Sequence, residues 1–84
     1  MKKINNVANC LYLARVTTRL KQSDLAKMAK CSTSMISAIE AGNKIPSVKL
    51  VIKIAKALGV SQDTIYMYAS EDLKKEIELF WASE

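Results

Sequence analysis

The stretch that most constrains this chain runs from Gln22 to Gly42, QSDLAKMAKCSTSMISAIEAG. Leu25, Ala26, Met28 and Ala29 fall at the i, i+1, i+3, i+4 spacing of one helix face, and Ile36 and Ile39 mark a second short helix, Thr33 to Ala41. Lys30, Cys31 and Ser32 leave room only for a tight turn, and Ser32 carries the hydroxyl that an N-cap needs. Two short helices joined in this way cross at a wide angle. The remaining residues must supply the core beneath them.

Helical spacing recurs on both sides. Ile4, Val7, Ala8, Leu11 and Ala14 predict a first helix from Ile4 to about Thr17, ended by the β-branched run Val16, Thr17, Thr18. Gly42 supplies a left-handed cap after Ala41, and Pro46 keeps Ile45 out of a helix. Ser47 opens a fourth helix, Val48 to Leu58, with Val51, Ile54, Ala55 and Leu58 as its core stripe and Lys49, Lys53 and Lys56 on the opposite face. Ser61 opens a fifth, whose apolar members are Ile65, Tyr66, Met67 and Tyr68. Ser70 opens the last, with Glu71 and Asp72 where they suit the helix dipole and an amphipathic stripe of Leu73, Ile77, Phe80 and Trp81. The expected fold class is all-α. It is a compact bundle of five helices plus a C-terminal amphipathic helix over residues 71–82, in a single domain of residues 1–84 with its core in 7–68. Half of the 84 residues are hydrophobic and only two are Gly and one Pro, which favours a compact helical domain over disorder.

Charge and cysteine usage narrow the functional classes. The net charge is +5, but residues 1–68 hold eleven Lys/Arg against three Asp/Glu, whereas residues 69–84 hold two against five. A basic body with an acidic end suits a polyanionic partner for the body. Cys10 and Cys31 stand without any histidine and are not spaced C-x-x-C, so neither a zinc site nor a redox pair is expected. Both read as small buried apolar residues in a reducing cytoplasm. Asn5, Asn6, Asn9 and Arg15 interrupt any apolar run after Met1, which argues against a signal peptide or membrane span. No nucleophile–base pair and no glycine-rich phosphate loop is visible, so the expectation is not an enzyme, with no cofactor and no metal.

Taken together, Gln22-x-x-Leu25-Ala26, the Ser32 cap, Ile36-x-x-Ile39-Glu40-x-Gly42, Pro46-Ser47 and Ala55-x-Ala57-Leu58-Gly59-Val60-Ser61 resemble the Cro and phage-repressor type helix-turn-helix family. The likeness covers about residues 7–68, in order and without gaps. It implies a small helical bundle that binds operator double-stranded DNA as a dimeric transcriptional regulator, with helix 33–41 in the major groove. By the same resemblance Gln22 meets the DNA backbone, Ser32, Thr33 and Ser34 open the helix that enters the groove, and Lys44, with Asn43 beside it, reaches phosphate. Arg15 and Glu40 match a family pair that clamps the third helix to the first.

The chain departs from the family where sequence is read. Many relatives carry arginine, glutamine or asparagine where Thr33, Ala38 and Ala41 stand here, side chains that make bidentate contacts to bases. Thr33, Ser34, Ser37 and Ala38 are all short, so the expected direct readout is modest and leans on thymine methyl groups and DNA deformability. Lys21 occupies a capping position although an ammonium cannot accept a hydrogen bond. Arg19 and Lys30 occupy turn positions where glycine is frequent, at a cost of about 1 kcal/mol each if φ is positive there.

Tyr66, Tyr68, Leu73, Ile77, Phe80 and Trp81 near the acidic end are the candidates for a homodimer contact, since aromatics concentrate at interface cores. The alternative reading is an antitoxin-like module that engages a protein partner through this end and keeps DNA binding for autoregulation.

Overall fold

The computed structural model describes residues 6–83, which form six helices and no strand: α1 Asn6–Thr17, α2 Gln22–Ala29, α3 Thr33–Glu40, α4 Val48–Leu58, α5 Gln62–Tyr68 and α6 Glu71–Ala82. Ile4 lies outside the described residues. The expected all-α class holds, and α3 stops at Glu40 with Ala41 as its cap.

One device starts four of these helices. Ser32, Ser47, Ser61 and Ser70 have extended backbone, and each hydroxyl oxygen accepts from the N–H three residues on, at 3.0 Å from Met35, 3.2 Å from Leu50, 3.1 Å from Thr64 and 3.3 Å from Leu73. At α2 the Lys21 ammonium has no acceptor to offer. The Asp24 carboxylate instead accepts from the Lys21 backbone N–H at 3.1 Å, which is half of a capping box.

A second device stops four. After α1, α2, α3 and α4 the chain turns left-handed at Arg19 (φ 61°), Lys30 (φ 59°), Gly42 (φ 78°) and Gly59 (φ 75°). The next residue then donates its N–H back to the carbonyl five positions earlier: Leu20 to Arg15, Cys31 to Ala26, Asn43 to Ala38 and Val60 to Ala55. Two of the four stops therefore place a long basic residue where glycine carries no Cβ penalty. Arg19→Gly is expected to stabilise the fold by up to about 1 kcal/mol, read as a rise of roughly 4–8 °C in a thermal melt. A lower melting temperature would show that the Arg19 side chain contributes more than its backbone strain costs.

The buried cluster takes side chains from every helix: Val7 and Leu11, Leu25 and Ala29, Ile36 and Ile39, Val51 and Ile54, Ile65, and Leu73 with Ile77. Several expectations change here. Met28 is 52% exposed because it lies at the edge of the α2 stripe, whose buried members are Leu25, Ala26 and Ala29. Met67 is also exposed. Cys10 and Cys31 are half-buried rather than buried; both are free, and burial raises both thiol pKa values, with the nearby Lys53 charge opposing this at Cys31. Leu73 and Ile77, two of the dimer candidates, are instead buried in the chain's own core.

The far end of α6 is held by a clasp on α5. The Trp81 indole Nε1–H donates to Gln62 Oε1 at 2.6 Å, and the Trp81 and Tyr66 rings lie 5.3 Å apart in a tilted arrangement. The Tyr66 hydroxyl donates to Glu78, and Lys74 Nζ sits 5.4 Å from the centre of the Tyr66 ring.

Candidate nucleic-acid interface

Helix α3 is short, and its two halves of surface differ sharply. Ile36 and Ile39 face the core, whereas Thr33, Ser34 and Ser37 are exposed and Ala38 is half-exposed. Beside it the first residue of α2 projects alongside the same face. Gln22, Thr33, Ser34, Ser37, Ala38, Ala41 and Asn43 together line one open depression. All seven are uncharged and all but Gln22 have short side chains, so the concavity comes from small residues rather than from a gap in the core. Among the described residues no group of His, Cys, Asp or Glu is arranged to hold a metal.

Six of the residues expected from the sequence at a DNA-binding surface share this lining. Gln22, Thr33, Ser34, Ser37, Ala38 and Asn43 are brought together. Ser32 and Lys44 are not in it. Ser32 spends its hydroxyl on the cap of α3, and Lys44 is exposed in the loop that follows. Ala41, which the sequence marks only as a departure from the family, joins the lining. Its spacing from Ser34 and Ser37, seven and four residues, is the signal that places it on the same face.

Behind the depression lies a largely covered charged pair, the less exposed of the two ion pairs among the described residues. Arg15 Nε donates to Glu40 Oε2 at 2.7 Å and Nη2 to Oε1 at 3.0 Å, a two-pronged bridge whose side chains are only 12% and 6% exposed. The third guanidinium nitrogen donates to the Leu20 carbonyl at 2.7 Å, which ties the bridge to the stop of α1. Hydrogen bonding to Glu40 raises the Arg15 pKa above its ordinary value, against the lowering effect of burial. Tyr12 lies under the guanidinium at 5.6 Å.

Gln22 is the link between this pair and the surface. Its Nε2 donates to Glu40 Oε1 at 3.0 Å. A carboxylate can only accept, so the amide has to turn its nitrogen inward and leave its carbonyl on the outer side. No spacing in the sequence reveals this bond, because its ends lie eighteen residues apart on different helices.

The profile of the helix-turn-helix family matches residues 11–68, from the middle of α1 to the end of α5. The chain belongs to the helix-turn-helix family of the Cro and phage-repressor type. An uncharacterised HTH-type transcriptional regulator of Methanocaldococcus jannaschii is 42% identical over 64 residues, which cover 76% of this chain and 97% of that protein. Two crystal structures of single-substitution mutants of the restriction-modification controller protein C.Esp1396I superpose with a TM-score of 0.69 each. They are 29% and 27% identical, and the matches cover 87% of this chain and 90% and 92% of theirs. This helix-turn-helix protein is accordingly a DNA-binding transcriptional regulator, in a family of regulators rather than of enzymes. Among its described residues no helix is long and apolar enough to cross a membrane.

Proposed function

We propose that the chain is a sequence-specific regulator, a dimeric cytoplasmic repressor that works as one helix-turn-helix unit and lays α3 in the major groove. The observation that carries this reading is the depression of short side chains at the junction of α2 and α3. Long reading residues would hold a helix away from the base edges; Thr33, Ser34, Ser37, Ala38 and Ala41 let it lie deep. Hydroxyls bond to several bases without choosing strongly, and the Thr33 methyl and Ala38 suit thymine methyl groups. Gln22, Ser32, Asn43 and Lys44 frame the helix and supply backbone contacts, which set register rather than sequence.

The second half of the proposal is a two-fold dimer, because one such unit covers little DNA. Of the aromatic candidates, Tyr68 and Trp81 are exposed and Tyr66 and Phe80 half-exposed, and exposed Met67 and Leu79 add to the apolar surface of α5 and α6. That surface also supports the second reading, in which this end engages another protein.

Selection of bound sequences from a random duplex pool, repeated at two salt concentrations, tests both halves. Recovered sites should contain two half-sites spaced about one helical turn apart (~10–10.5 base pairs), with thymine more prominent than guanine at the contacted pairs. Strong selection of guanine at several contacted pairs contradicts the readout, and recovery of single half-sites contradicts the dimer.

A further inference from the structure

Helix α4 carries Lys49, Lys53 and Lys56 on an exposed face opposite the buried Val51, Ile54, Ala55 and Leu58, and contains no acidic residue. Helix α2 packs against α4 and ends in two more exposed lysines, Lys27 and Lys30. Lys53 precedes the buried Ile54 on α4, and Cys31, next to Lys30 in the turn between α2 and α3, packs against the same core. The two acids on α2 and α3 are otherwise engaged: Asp24 accepts from the Lys21 backbone, and Glu40 sits under Arg15 and Gln22. Among the described residues the ion pairs are Arg15–Glu40 and Lys74–Glu71, so none of these five lysines is in one.

Five like charges on adjoining helices repel one another in the free protein. The N-terminal end of a recognition helix is the end that enters the groove. Lys30 adjoins the turn that leads into that end of α3, and Lys53 is on the helix packed against α2. We propose that this α2–α4 lysine face is a second DNA contact, which holds phosphates of the backbone flanking the segment under α3. The proposal rests on the DNA-binding reading above and adds to it a surface outside the depression. An acidic protein surface, such as α6 of a second copy, is the competing occupant. The continuity of the lysines with the turn that opens α3 favours the duplex.

The test is the salt dependence of affinity for a mixed-sequence DNA duplex about three helical turns long (~30–32 base pairs). Three proteins are compared: the wild type, Lys30→Gln/Lys53→Gln, and Lys75→Glu, a control that removes equal net charge at an exposed position of α6. Each lost phosphate contact lowers the slope of log affinity against log salt by ~0.9, so the face variant, which loses two contacts in each chain of the two-fold dimer, should lose about 3.6 in slope. Over a fourfold rise in salt the wild type then loses roughly 150-fold more affinity than the face variant, and the control follows the wild type. Equal slopes for all three, or equal losses in both variants, overturn the proposal. So do equal slopes accompanied by weaker self-association of the face variant without DNA, which assigns the lysines to a second copy. A wild type that fails to bind the duplex at all contradicts the DNA-binding reading itself, a separate result.

Discussion

Replacing Glu40 by alanine is expected to cost the fold about 3–5 kcal/mol. Glu40 accepts two hydrogen bonds from Arg15 and one from Gln22, and its removal leaves a guanidinium at 12% exposure with the Leu20 carbonyl as its remaining hydrogen-bond partner and the Tyr12 ring beneath it. A partly buried pair adds little over an apolar replacement, but half of one is a largely desolvated charge without its counterion. A domain of this length has roughly 4–13 kcal/mol in all, so the loss is a large part of it, and the melting temperature should fall by more than roughly 10 °C. Circular-dichroism melts of Glu40→Ala, Arg15→Met and a Glu40→Leu/Arg15→Met double variant would measure it. The double variant should recover much of what Glu40→Ala loses. A Glu40→Ala protein that melts within a few degrees of the wild type would show that water reaches Arg15 freely.

Ser37→Glu should have the opposite profile. Ser37 is exposed on α3 and lines the depression, so the fold should change by no more than about 0.5 kcal/mol. In the groove the new carboxylate faces phosphates and base-edge acceptors, a like-charge juxtaposition that costs several kcal/mol and weakens DNA binding by about 100-fold or more. Ser37→Ala, which removes a hydroxyl and adds no charge, should stay within a few-fold of the wild type. Fluorescence anisotropy on a selected duplex and a thermal melt of each variant suffice. Undiminished binding by Ser37→Glu would move the contact surface off this face of α3.

The helices were legible in the sequence because local chemistry marks both their ends. Four serines cap, and four left-handed stops sit where the apolar stripes run out. Met28 shows the limit of spacing arguments. Residues at i and i+3 share a helix face only when the buried stripe is centred between them, and in α2 it is centred nearer Leu25, Ala26 and Ala29. Leu73 and Ile77 show another limit. An amphipathic stripe states that one face is to be covered and is silent on whether the same chain or a second copy covers it; here α4 and α5 do so. At the interface the short residues of α3 could be placed on one face from their numbering. The Gln22–Glu40 bond could not, because it depends on how α2 and α3 cross.

The clasp at the end of α6 has a practical consequence. The chain has a single tryptophan, and Trp81 is tied at once to the α5 start through Gln62 and to the Tyr66 ring. Its emission is therefore an intrinsic gauge of whether α6 is seated. With tyrosine excitation, energy transfer from Tyr66 distinguishes a docked C-terminal helix from a detached one while the rest of the bundle stays folded.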